Sequence, residues 1–308
     1  MEAIEHLATE SRDKETQYID RLPTEEILSS INKHDETVAS KVKEEIPSIT
    51  LAVDAIVESF RRGGRLFYVG AGTSGRLGIL DAAECPPTYG TEDEMIQGLI
   101  AGGYTAILHA VEGAEDDENL GRADLKAKGI GSDDIVVGIA ASGRTPYVIG
   151  ALKEARECGA RTVSLTCNKM SLMNKFTEIH INVEVGPEVI MGSTRMKAGT
   201  AQKLVLNMLT TASMIKMGKV YENLMVDVQP TNLKLIDRAK RIIAMATDCT
   251  REEAEALFEQ SGGSLKAAII MHKCSCSKEA AEQKLAAAKG FVYEALRDRG
   301  TGSSSHIR

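Results

Sequence analysis

The sequence predicts an α/β protein: a parallel five-stranded sheet flanked by helices, followed by a small all-helical domain. Three observations carry that prediction. Near-continuous apolar runs such as Ile135-Val136-Val137-Gly138-Ile139-Ala140 alternate with helix-like segments, as strands buried on both faces of a parallel sheet do. Two of these runs, at 66–69 and 135–140, open into small, hydroxyl-rich turns that lead straight into a helix. Beyond residue 232 the composition turns wholly helical.

Residues 1–47 are polar and charged, with Thr24 expected to cap a helix whose first turn carries Glu25 and Glu26. This helical arm has too little apolar surface to stand alone. Residues 48–62 place Leu51, Ala52, Ala55, Ile56 and Phe60 at helical spacing, and Gly63-Gly64 stops the helix. The first strand follows at 66–69, then a helix that Pro86-Pro87 is expected to end, then a second strand at 95–100. Residues 104–111 and 120–128 read as helices and 135–140 as the third strand. The segment 146–158 reads as a helix with Pro146 at its start and Gly159 past its end. Strands at 162–166 and 179–185 complete the sheet, and 196–217 forms a long helix whose methionines read as packing. In the C-terminal part Thr250 and Glu253 form a capping box, Ser264 caps the next helix and Ser277 the last. The expected division is an arm (1–47), a main domain (48–226), a linker (227–232), a helical domain (233–297) and a disordered, low-complexity tail (298–308).

Composition narrows the function. The 308 residues carry a net charge of -7 with no Lys/Arg block beyond short pairs, which leaves no footprint for nucleic acid or an anionic membrane. No apolar run approaches the ~20 residues that span a bilayer, and residues 1–6 lack the marks of a signal peptide, so a cytoplasmic protein is expected. Six scattered cysteines without C-x-x-C spacing argue for reduced thiols. His272, Cys274 and Cys276 form the one ligand-like cluster, a ligand short of a structural zinc site, so no metal is expected.

The chemistry is sought in the loops after the strands. Gly70-Ala71-Gly72-Thr73-Ser74-Gly75-Arg76 satisfies G-x-G-x-x-G, but the second strand ends in Ala101-Gly102-Gly103 with no acid for a ribose, which argues against a dinucleotide. Arg76 after Gly75, where Lys is required, excludes a P-loop. What remains is a phosphate cradle. The loop at 140–146 repeats the design, so Gly72, Thr73, Ser74, Ser142, Gly143, Arg144 and Thr145 are candidates to share one phosphomonoester, against the alternative of ordinary turn and cap residues. Ser193, Thr194 and Lys197 would complete an anion site; equally, Ser193 or Thr194 caps the long helix and Arg195 and Lys197 are solvated. Glu84, just before Pro86-Pro87 and expected to be partly buried, and Glu115, in an acidic connection, are the carboxylates placed for acid/base work. Solvated surface glutamates are the alternative.

The run from Gly70 through Glu84-Cys85-Pro86-Pro87-Thr88 closely resembles the signature of the N-acetylmuramic acid 6-phosphate etherases, a family built on the sugar-isomerase (SIS) domain. Segments 24–28, 110–117, 137–152, 186–207 and 223–232 look similar to the same family, which extends the resemblance over most of the chain through residue 232. The helical C-terminal part is similar to the family's small UBA-like domain. The resemblance implies an SIS-type sheet, no cofactor, a homodimer, and a small sugar phosphate as substrate. It implies cleavage of a D-lactyl ether to N-acetylglucosamine 6-phosphate and D-lactate, with Glu84 as general acid and Glu115 as the base at C2. Removing a proton beside an open-chain aldehyde and expelling an alkoxide needs two carboxyl groups in opposite protonation states. Two rivals on the same fold are a non-catalytic sugar-phosphate sensor and an aldose-ketose isomerase. The sensor would need a second SIS unit or a basic helix-turn-helix, and the sequence offers neither.

Overall fold

The structure, a computed structural model, describes residues 8–230 and 233–297. The tail at 298–308 and the linker residues Thr231 and Asn232 lie outside the described residues. The chain divides into two compact units. One holds the described residues through Ala83 together with Glu92–Thr211; the other holds Glu84–Thr91 together with the described residues from Ala212.

In the first unit α1 (Thr24–Asp35), α2 (Val38–Glu44) and α3 (Ile46–Arg61) precede the first strand. Then β1 (Leu66–Gly70), α4 (Gly72–Tyr89), β2 (Ile96–Ile100), α5 (Thr105–Leu108), α6 (Glu118–Ala127), β3 (Ile135–Ala140), α7 (Pro146–Glu157), β4 (Arg161–Thr166), β5 (Ile179–Asn182) and α8 (Lys197–Lys216) follow in order, with α4 from Glu84 and α8 from Ala212 counted in the second unit. The five strands pair in parallel in the order β2-β1-β3-β4-β5, as the apolar runs predict. This order has its switch point between β1 and β3, where open α/β sheets leave a crevice for ligand. Gly70 pairs with Ile100 on one side and Ile139 on the other, so β1, β2 and β3 end level and their loops start side by side.

Burial on both sheet faces explains the apolar runs. Phe67, Val69, Val136 and Ala140 share a core with Tyr147, Val148, Ala151 and Leu152 of α7. On the opposite face the Tyr68 hydroxyl donates to Asp81 Oδ2 of α4 at 3.0 Å, and Asp81 Oδ1 accepts from Asn207 Nδ2 at 2.7 Å and Thr210 Oγ1 at 3.3 Å on α8. Burial raises the Asp81 carboxyl above the usual carboxylate range, against the pull of those three donors.

Four local expectations are corrected. Helix α4 does not stop at Pro86-Pro87 but runs through both to Tyr89, and Gly90 N donates to Pro86 O at 2.9 Å to close the last turn. Prolines that near a helix end remove only two donors, which the remaining turn tolerates. Thr24 is the first residue of α1 and Pro23 holds the cap position, without a side-chain bond. The helix expected at 104–111 shrinks to one turn, α5. Ser277 caps α12, but a further helix follows it.

The second unit contains a hairpin of β6 (Val220–Tyr221) and β7 (Leu224–Met225), then α9 (Leu233–Thr247), α10 (Arg251–Gln260), α11 (Leu265–Cys274), α12 (Lys278–Ala287) and α13 (Val292–Arg297). Ile242, Ile243, Leu265, Ile269, Ile270 and Val292 form its core. The Thr250–Glu253 capping box and the Ser264 cap are present as read from the sequence. Among the described residues no helix is long and apolar enough to cross a membrane.

Candidate active site

The loop after β1 is a tight strand-to-helix turn. A Cβ on Gly70 would lie 2.6 Å from Gly75 N, so the chain folds back on itself only because both positions lack side chains. Gly72, at φ +51, starts α4 and leaves the first backbone N–H groups of that helix at the carboxyl end of the sheet. The two hydroxyls that follow part company. Ser74 is buried and its Oγ donates to Gln202 Oε1 of α8 at 2.9 Å, whereas Thr73 is half-buried with its methyl facing Gly199 of α8.

The loop after β3 lies next to it, across the switch point. Gly143 has φ +68, and its carbonyl accepts from Ser171 Oγ at 3.1 Å and Met173 N at 3.1 Å. Ser142 Oγ accepts from Arg144 N at 3.3 Å, while Thr145 holds the cap position of α7 without a side-chain cap bond. Two helix starts and the hydroxyls of Thr73, Ser142 and Thr145 thus occupy neighbouring strand ends, as the repeated loop design predicts.

The third segment has a different basis. The start of α8 is capped by neither Ser193 nor Thr194 but by Glu188, which is fully buried. Its Oε2 accepts from Lys197 N and its Oε1 from Ala198 N, both at 2.9 Å. A carboxylate of the chain itself therefore fills this helix end. Nor is Lys197 solvated: its side chain is 5% exposed, and burial lowers its amine below the usual lysine range, against the attraction of Glu188, Asp13 and Asp35. Sequence reasoning missed Glu188 because it lies nine residues before Lys197, beyond the span in which helix caps are sought.

On the β2 side of the first loop lies a cavity of about 200 Å³ lined by Gly72, Arg76, His109, Glu112 and Glu115 with small neighbours including Ala71 and Ala101. Glu115 sits in the single 3₁₀ turn Ala114–Asp116, launched by Gly113 at φ +74, and is exposed. Arg76 is half-buried, with Nε donating to Ile107 O at 2.9 Å. Glu84 does not line this cavity. It lies twelve residues beyond Gly72 on α4 and is exposed rather than partly buried as expected. Arg76 and His109 went unassigned in the sequence. The i, i+4 spacing of Gly72 and Arg76, which puts them on one helix face, is the signal that would have found the first.

The family models that match the chain are the glucokinase regulatory protein N-terminal SIS domain, over residues 48–156, and the SIS domain, over residues 123–212. The N-acetylmuramic acid 6-phosphate etherase of Geobacillus sp. (strain WCH70) is 55% identical over 293 residues, 95% of this chain and 99% of that protein. The protein of the same name from Bacillus cereus (strain B4264) is also 55% identical over 293 residues, covering 95% of this chain and 100% of its own length. Among solved structures, phosphoheptose isomerase from Neisseria gonorrhoeae aligns with 62% of this chain and 99% of its own, at 17% identity and a TM-score of 0.49.

Proposed function

The chain belongs to the N-acetylmuramic acid 6-phosphate etherase family, and from that premise we propose how its site works. The enzyme is a carbon–oxygen lyase that cleaves the D-lactyl ether of N-acetylmuramic acid 6-phosphate to N-acetylglucosamine 6-phosphate and D-lactate in cell-wall recycling. The observation that carries the mechanism is the cavity shared by Glu115 and the start of α4, one strand away from the switch point.

The phosphate takes the switch point, held by Thr73, Ser142 and Thr145, by the N–H groups that start α4 and α7, and by Arg144. Gly72 and Gly143 allow close backbone approach, Ser193 and Thr194 complete the set, and Ser74 and Lys197 brace it from within. Neighbouring strands are about 4.8 Å apart, so the β2 side lies about 10 Å from the β3 loop. That is the span of a hexose 6-phosphate, and it brings the reacting carbons to Glu115.

Once the ring has opened, Glu115 takes the proton from C2 beside the C1 aldehyde. The electron pair left behind forms the C2–C3 double bond as the C3–O bond breaks, and Glu84 protonates the departing lactate oxygen. Water then adds to C3, returning a proton to Glu84, and Glu115 gives its proton back to C2. Since Glu84 is outside the cavity, in this reading it comes from a second copy of the chain in a homodimer. The cytoplasm is its compartment, and the net charge of -7 without a basic block favours no nucleic-acid partner.

Lactate release by Glu84→Gln and Glu115→Gln tests the assignment. Each is expected to lose about 10²- to 10⁴-fold in rate while still binding N-acetylglucosamine 6-phosphate and keeping its circular dichroism spectrum. Full lactate release from both would remove the two roles.

A further inference from the structure

We infer that Arg76 binds the carboxylate of the lactyl group and so selects the ether substrate over sugar phosphates that lack it. This rests on the reading that Glu115 acts at C2. Arg76 follows Gly72 by one helical turn on α4 and lines the same cavity as Glu115. Its Nε–H is taken by the Ile107 carbonyl at 2.9 Å, which fixes the plane of the guanidinium and leaves the two terminal nitrogens for a ligand. Among the described residues no carboxylate is paired with it.

The chemistry supplies the partner. The lactyl ether is on C3, next to the carbon from which Glu115 takes a proton, so the lactyl carboxylate enters this cavity and not the phosphate loops. Glu112 and Glu115 line it too, and both repel a carboxylate. A permanent positive charge with two parallel N–H donors offsets that repulsion, and its geometry matches a planar carboxylate better than an ammonium would. The phosphate, on C6, occupies the opposite end of the opened sugar. Arg76 is therefore a specificity residue that reads the one group distinguishing the substrate from its sugar product.

Binding is measured in Glu115→Gln protein, whose turnover is expected to be slower by about 10²- to 10⁴-fold, at times short against that turnover. Adding Arg76→Gln is expected to weaken N-acetylmuramic acid 6-phosphate by about 10- to 100-fold, to leave N-acetylglucosamine 6-phosphate unchanged, and Arg76→Lys is expected to fall between. Equal weakening of both ligands would assign Arg76 to the phosphate, and no weakening would give it no ligand role; either overturns the inference. The same Glu115→Gln protein with the lactyl carboxamide in place of the carboxylate checks the contact without altering Arg76. Its binding should drop by a similar factor, and an undiminished affinity would contradict the assignment. A wrong C2 base shows separately, as full lactate release by Glu115→Gln; the two affinities are then compared with and without Arg76→Gln in Glu84→Gln protein.

Discussion

The Ser74 hydroxyl donates to Gln202 Oε1 at 2.9 Å, pinning the first turn of α4 to α8. Gln202 is 1% exposed, and among the described residues its Nε2 has no hydrogen-bond partner. Ser74→Ala would strip the remaining bond from a buried amide and is expected to cost about 1–3 kcal/mol of stability, read by denaturant unfolding. Thr73→Val keeps the methyl that faces Gly199 and should leave stability unchanged while weakening N-acetylglucosamine 6-phosphate. An inverted outcome would exchange the roles of the two hydroxyls.

Cys167 is fully buried, with Sγ 3.8 Å from the Ala198 carbonyl, and burial pushes its thiol up from 9.0 to about 12. The folded protein thus holds this proton at pH values where the unfolded chain has lost it. The stability linked to it is complete below pH 9 and lost as pH rises from 9.0 toward about 12. Unfolding free energies of wild type and Cys167→Ala, measured from pH 8 upward, should converge across that window. Parallel curves would mean that the thiol is not shielded.

If Glu84 and Glu115 of one site come from different chains, two inactive variants can rescue each other. Glu84→Gln and Glu115→Gln, unfolded together and reassembled, would give about half mixed dimers, each with one intact site, and so about a quarter of wild-type lactate release. No recovery, with mixed dimers demonstrated by mass, would place both carboxylates in one chain.

The sheet was legible because β1, β3 and β4 are covered on both faces, which forces near-continuous apolar runs such as 135–140 whatever else the chain does. The strand-to-helix turns after β1 and β3 were legible because each is local, with strand, turn and helix start consecutive in sequence. What stayed hidden depends on distant partners. Glu188 caps α8 from nine residues away, Ser74 is claimed by Gln202, and the Arg76 side chain is aimed by the Ile107 carbonyl. The stop expected at Pro86-Pro87 failed for a local reason, since a proline pair in a last turn costs few helix bonds.

The most direct test of the account is the position of isotope in the product. With wild-type enzyme in heavy water enriched in oxygen-18, elimination and re-addition predict N-acetylglucosamine 6-phosphate with deuterium at C2 and the heavy oxygen at C3, and lactate without it. Glu115→Gln should suppress the C2 deuterium together with turnover. Product that keeps its original hydrogen at C2, with the heavy oxygen in the released lactate, would contradict a base at C2 and with it the central role given to Glu115.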